Sequence, residues 1–586
     1  MIFLDKGGLM VKTILKSVRD FKKASILSPI FVAFEVIMEC LIPLIMASLI
    51  DEMDGKSVSP VLRYGLILVV LAFISLWCGL SSGKYAATAS AGLAKNLRQD
   101  LYFKIQDFAF ADIDKFSTSS LVTRMTTDVT NVQNAYMMII RIAIRGPLMI
   151  IISVLMCISI NKELSIIFLV LIPILGVAVI GISAFVMPLF RRIFHKYDAM
   201  NNSVQENVSG IRVVKAFVRE DHEQEKFHKA SEDVCNDFTM AERILALTTP
   251  VMTLFIYIAI LLVSYFGSKI IISTQGTELT TGELSSLINY GVQILSALMM
   301  LAMVFVMVSM AIESATRISE VLNYTSTLVS PQNGITDIPN GSIDFDNVSF
   351  KYNKESEKTA LKDIDLHIKS GQTIGIIGGT GSSKSTLIQL ISRLYDVTEG
   401  SVKVAGRDVR EYDLESLRNS IAVVLQKNVL FSGTIKENMR WGKKDASDDE
   451  IVQACKLSQA DEFVSQFPDK YDTMIAQGGT NVSGGQKQRL CIARALLKYP
   501  KILILDDSTS AVDTKTDALI RKAFKEDLPD TTKIIIAQRV SSVEDADEIL
   551  VMDEGTIKER GTSNELIDFG GIYADLYKTQ TSAKEA

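Results

Sequence analysis

Residues 372–386 read QTIGIIGGTGSSKST, and LIQLISRLY follows. An apolar run, a glycine-rich turn and a helical pattern predict strand, loop and helix in that order. Backbone N–H groups and the helix dipole converge on such a turn, so it can cradle a phosphate. Lys384 is placed to reach the outer phosphates and Ser385 to hold magnesium. Gly378, Gly379, Thr380, Gly381, Ser382, Lys384 and Ser385 follow the pattern G-x-x-x-x-G-K-[ST], with Thr386 next to it as a further nucleotide-binding candidate, but Ser383 stands where the pattern has glycine. A β-carbon at that position is expected to strain the turn.

Further pieces surround this loop in a fixed order. Tyr352, in VSFKY, precedes it as an aromatic able to stack on adenine, and Gln426 follows it. NVSGGQKQR, residues 481–489, then offers Ser483 and the N–H groups of Gly484 and Gly485 as a second anion site at a helix start, between Val482 and Gln486. In ILILDDSTSAVD, residues 502–513, four apolar residues deliver Asp506 and Asp507, and the run ends at Asp513. One nucleotide cannot touch both anion sites if they lie on opposite edges of a compact domain. The second is therefore expected to close over a nucleotide held by another chain.

The half upstream is different material. Of 586 residues 48% are hydrophobic, and the mean hydropathy is +0.25. Six apolar runs, near 26–50, 61–81, 135–160, 164–187, 246–272 and 284–311, are each long enough to cross a bilayer as helix, which takes ~20 residues. They exclude a soluble ATPase. Residues 1–25 hold six Lys and Arg, 82–133 six and 188–245 nine, against one in each of 51–60, 161–163 and 268–283. The positive-inside rule puts both termini and the long loops in the cytoplasm. These loops carry helical periodicity and are expected to continue the spans outward. The chain thus divides into a basic amphipathic helix (1–25), a six-helix membrane domain (26–322), a linker (323–341) and a nucleotide-binding domain (342–586). The net charge of −6 gives no reason to expect a nucleic acid partner. Six scattered cysteines argue against disulfides and zinc.

Phosphate loop, Gln426, VSGGQ and acidic strand together resemble the ABC exporter half-transporters. FSTSSLVTRMTTDVTNV (116–132) and NVSGIRVVKAFVRE (207–220) extend the likeness to regions that hold coupling helices in that family. The resemblance implies a membrane α-helical bundle fused to an α/β P-loop ATPase, with ATP and Mg2+ as cofactors. Ser385, Gln426 and Asp506 would hold the metal, and the partners would be the bilayer, a small hydrophobic or amphipathic substrate and a second half-transporter. It implies alternating access in the cell membrane, with export from the cytoplasm. The departures are specific. Asp507 replaces the family's catalytic glutamate, Gln538 its switch histidine and Gln477 the acid before the signature, whereas Val482 for leucine is mild. Asp507, Gln538 and Ser383 all fall on the site of this chain's own phosphate loop. The expectation is a heterodimer in which this site mainly binds ATP and the signature completes the partner's catalytic site. Lipid or peptide export, import with the same fold, a slow homodimeric pump and a non-catalytic regulatory subunit are the alternatives.

In the spans, Glu35 and Glu39 lie one turn apart, as do Arg141 and Arg145. Carboxylates at that depth need partners. They read either as a cavity site for cations or as internal ion pairs with both arginines. Met299, Met303, Met307 and Met310 share one helical face, suited to packing or to an adaptable cavity. Pro43 and Pro173 are expected to kink their helices.

Overall fold

In the computed structural model, residues 2–53, 58–353, 358–508 and 510–585 are described. The chain forms two units, Met1–Gln106 with Thr118–Tyr324, and Asp107–Ser117 with Thr325–Ala586. The first eleven helices are α1 Ile2–Lys16, α2 Lys22–Glu52, α3 Val58–Gln106, α4 Phe110–Phe116, α5 Thr118–Thr123, α6 Val129–Ile160, α7 Lys162–Ser209, α8 Ile211–Ala216, α9 Glu220–Ala246, α10 Thr248–Thr274 and α11 Thr281–Asn323. All but α4 build the first unit.

Five described stretches are long and apolar enough to cross a membrane: Arg19–Glu52, Val58–Gln106, Thr118–Ile160, Glu220–Thr274 and Thr281–Asn323. The expected run 164–187 falls within α7, where several side chains lie outside those described. At 49 residues, α3 is roughly 70 Å long, more than twice a hydrocarbon core of ~30 Å, so such helices run on past the bilayer as the loop periodicity predicts. Helix α2 continues through Pro43, although proline removes a backbone donor. Side chains of α11 serve the carbonyls there: Ser286 Oγ donates to Pro43 O and Tyr290 Oη to Cys40 O at 2.6 Å. Around them Val32, Val36, Cys40, Met149, Phe168 and Leu287 form the buried core of this unit.

The second unit has two main sheets. One is antiparallel, with Leu361–Ile368, Ile343–Phe350, Glu399–Val404 and Arg407–Asp408 side by side. The other runs Thr556–Gly561, Glu548–Asp553, Thr373–Ile377, Thr532–Ile536, Ile502–Asp506, Ile421–Val424, and its inner pairs are parallel. Ile502–Asp506 is buried at every residue, as an apolar strand covered on both faces should be. Residues after Tyr324 join this unit: Ile335 bridges Tyr412, and Ser330 Oγ donates to Asp413 at 2.9 Å. The segment Asp107–Ser117, read from sequence as part of a loop of the membrane domain, also packs here. Its Asp112 is fully buried and accepts from Ala109 N at 2.8 Å and Ser326 Oγ at 2.6 Å.

Candidate functional site

Three parallel strands end on one edge of the larger sheet, where α/β folds bind ligands. Thr373–Ile377 leads into the glycine-rich loop, Ile502–Asp506 delivers Asp506 and Asp507, and Thr532–Ile536 is followed by Gln538. A cavity of about 460 Å³ between them is lined by Gly378–Gly381, Ser383–Thr386, Gln426, Asp506, Asp507, Gln538 and Leu576. Gly378 must be glycine, because a Cβ would lie 2.2 Å from Met552 O. Ser383 sits in the left-handed region at φ 71°, ψ 22°, so the strain expected from sequence has a backbone basis. Ser382 is buried and donates to Gly379 O at 2.9 Å.

Lys384 Nζ donates to the carbonyls of Gly378 at 2.8 Å and Gly379 at 2.7 Å and to Ser382 Oγ at 3.1 Å. Burial lowers its pKa against the opposing pull of Asp506 and Asp507. Burial raises the pKa of Asp506, which a bond with the Ser385 hydroxyl opposes. It also raises that of Asp507, opposed by the amides of Gln426 and Gln538. Gln538 Nε2 donates to Asp507 Oδ2 at 2.8 Å, and Gln426 Nε2 to the same oxygen at 3.4 Å. Tyr352 is 53% exposed; its hydroxyl bonds Thr386 Oγ1 at 3.0 Å and its ring meets Phe350 and Tyr395 edge-on. Nothing lies within 4 Å of a Cβ built on Gly379 or Gly381, which leaves the cradle open. The donors around it, a hydroxyl, an amide oxygen and a carboxylate, are the hard oxygen ligands that Mg2+ takes. The residues fit a magnesium nucleotide.

The signature stretch does not line this cavity. Ser483 caps the helix Gly484–Leu496: its Oγ accepts from Gln486 N at 3.3 Å while Gln486 Oε1 accepts from Ser483 N at 2.9 Å. Val482 packs at the edge of the core. A Cβ on Gly485 would lie 2.8 Å from Ala511 O, and Gln488 Oε1 accepts from Ala511 N at 3.0 Å, so this helix start and the run toward Asp513 are locked together. Asp513 caps the helix Thr514–Asp527, accepting from Thr516 N at 3.0 Å.

Residues 25–298 match the family description "ABC transporter transmembrane region" and residues 361–510 match "ABC transporter". An uncharacterized ABC transporter ATP-binding protein of Bacillus subtilis (strain 168), YfiB, is 38% identical over 93% of this chain and 94% of its own length. The chain is an ABC transporter. Further relatives of this transporter include YgaD of the same organism, provisionally named a multidrug export ATP-binding/permease protein, which is 32% identical over 85% of each chain. The ATP-dependent lipid A-core flippase of Hahella chejuensis (strain KCTC 2396) is 32% identical over 91% of this chain and 90% of its own. A bacterial Atm1-family ABC exporter solved with ATP bound shares the fold at a TM-score of 0.83 and 22% identity, over 96% of this chain and 98% of that one. The transporter is thus a half-transporter of exporter fold, a membrane helical domain fused to an ATP-hydrolysing domain.

Two residues of the transporter's nucleotide site escape a motif reading. Gln580, in the helix Ile572–Glu585, accepts from Val540 N at 2.8 Å and donates to Gln538 O at 3.0 Å. Leu576, four residues earlier on the same face, lines the cavity. That spacing is the only local signal, and nothing in it points to a site some 40 residues upstream. In the membrane unit Arg145 donates to Glu35 Oε1 at 2.5 Å and to both oxygens of Glu39 at 2.8 Å. Among the described residues Arg141 pairs with neither; it lies beside Gly83, a turn from the acids, which corrects the expectation that both arginines share them. Glu39 and Arg145 face a cavity of about 340 Å³ with Met149, Gln293, Ser296 and Met300. Of the methionines of α11, Met300 lines this cavity and Met299, Met303 and Met307 do not, and the Met310 side chain lies outside those described.

Proposed function

We propose that this transporter is one subunit of a heterodimeric exporter whose own phosphate-loop site mainly holds ATP, while its signature completes the catalytic site of a second half-transporter. The observation that carries this reading is the Gln538–Asp507 hydrogen bond. The amide draws the short carboxylate toward the loop that follows Thr532–Ile536 and bears Gln538. An aspartate also ends one methylene, ~1.5 Å, short of a glutamate, and a displacement of about 1 Å can cost ~100-fold in rate. Gln538 donates a hydrogen bond but cannot hold a proton.

In this site Lys384 would exchange its carbonyl partners for outer phosphates, and Ser385, Gln426 and Asp506 would hold Mg2+. Tyr352 offers its exposed ring to adenine. Bound ATP supplies the phosphoanhydride whose cleavage drives transport. Asp507 orients water poorly, so cleavage here is slow. Ser483, Gly484 and Gly485 face the partner's nucleotide, and Asp513 holds the neighbouring turn. The cargo is a hydrophobic or amphipathic compound, received where Ile42, Met149, Val292 and Met300 surround a few polar groups. The distribution of Lys and Arg supports both termini in the cytoplasm of a cell-membrane protein.

The test is ATPase activity of the chain in lipid, alone and with a candidate second half-transporter, beside the double variant Asp507→Glu, Gln538→His. Low activity alone, high activity with the partner and a gain in the double variant are expected. High activity of the unaltered chain alone would make it a homodimeric pump and sink the proposal.

A further inference from the structure

A large apolar groove of the membrane unit lies under α1, between α6 and α11, with a volume of about 1170 Å³. Val11, Ile139 and Ile312 line it and remain 48%, 41% and 49% exposed. Lys12, Lys16 and Lys22 line it too, and no carboxylate does among the described residues. Lys12 and Lys16 are four apart on α1 and so share a face; Lys22 opens α2. Among the described residues none of the three lysines has an ion-pair partner. The depth of the groove is legible from the spans. Lys22 stands just before the apolar run of α2, and Ile139 stands inside that of α6. The basic rim is therefore at the membrane surface, and the apolar wall runs into the hydrocarbon.

We infer that this groove is a binding site for one anionic phospholipid of the leaflet that borders the N-terminus. The phosphate sits among Lys12, Lys16 and Lys22, and an acyl chain lies along Ile139 and Ile312. Charge complementarity selects this occupant: three unpaired ammonium groups beside an apolar wall match an anionic headgroup with a hydrocarbon tail, and they repel a cationic amphiphile. A neutral protein segment would cover the wall and leave the ammonium groups without counter-charge.

Native mass spectrometry of the full chain, titrated with phosphatidylglycerol or with phosphatidylcholine of the same acyl chains, tests this. One tightly held phosphatidylglycerol per chain is expected. Each lysine near an anionic surface contributes about 5-fold, so Lys12→Gln, Lys16→Gln, Lys22→Gln together lower the preference on the order of 100-fold. Ile312→Trp, which fills the groove and keeps every lysine, also lowers occupancy. Equal binding of the two lipids by the unaltered chain overturns the inference, as does a preference that survives the triple change. Undiminished binding in Ile312→Trp shows a bare basic surface and overturns the groove. Displacement of the lipid when a second half-transporter is added shows a protein interface, and equally tight binding of free glycerol phosphate shows a headgroup site alone; either result overturns it.

Discussion

Ser383 is the residue whose cost is easiest to isolate. An L-residue pays on the order of 1 kcal/mol to hold the left-handed backbone that glycine adopts freely, and its φ of 71° is in that region. Ser383→Gly should stabilise the nucleotide-binding unit by up to about 1 kcal/mol, read as a higher denaturation midpoint, with no loss of ATP affinity. Loss of stability would mean that the serine hydroxyl holds the turn. A second residue-scale expectation concerns His367, whose Nδ1 lies 2.9 Å from Asp344 Oδ1. That bond raises its pKa above the ordinary histidine value. The protonated ring then stabilises the folded unit fully below about pH 6.5, and the contribution fades as pH rises through the raised value. His367→Gln should flatten this slope in thermal denaturation between mildly acidic and mildly alkaline pH. The effect is small because the ring is exposed.

At the scale of elements, the helix Ile572–Glu585 holds the loop that carries Gln538 through the two bonds of Gln580. Gln580→Ala removes the acceptor of Val540 N, and a hydrogen bond nets about 1 kcal/mol. Amide exchange at Val540 should accelerate by roughly 5- to 10-fold, while global unfolding changes little. Unaltered exchange there would show that the loop holds itself. Between α2 and α6, Arg145→Met leaves the Glu35 and Glu39 carboxylates without their shared guanidinium. Breaking a buried pair from one side costs about 3–5 kcal/mol, whereas Arg141→Met should cost far less. Denaturation of the two variants in lipid separates them, and equal losses would make the observed pairing unimportant. The helices themselves were legible from sequence because length and hydropathy suffice for a span. Which arginine meets the acids was not, since α2 and α6 are set in register by packing across about 100 residues of chain.

For the whole molecule, the feature that matters is where Asp107–Ser117 packs. Helix α4 stands in the chain between α3 and α5 of the membrane unit, yet it belongs to the nucleotide-binding unit. Tyr395 Oη donates to Asp114 Oδ2 at 2.8 Å. The Tyr395 ring also meets that of Tyr352, whose hydroxyl touches Thr386 beside the phosphate loop. A continuous set of contacts thus joins α4 to the nucleotide cavity. Tyr395→Phe should lower substrate-stimulated ATPase of the assembled transporter several-fold and leave the basal rate intact. An unchanged stimulation would place the coupling elsewhere.

The amino-acid order alone determined the strand, turn and helix of the phosphate loop, the burial of Ile502–Asp506 and the long membrane helices. In each case a short local pattern, an apolar run, a glycine or a period, is itself the physical cause. The tertiary structure alone decided that Gln538 ties back Asp507, that Gln580 reaches the loop after Gln538, that Arg145 and not Arg141 pairs with the two glutamates, and that Asp107–Ser117 leaves the unit its neighbours build. Each of these joins residues far apart in the chain through a few side-chain contacts, and such contacts leave no period or composition for a local reading to detect.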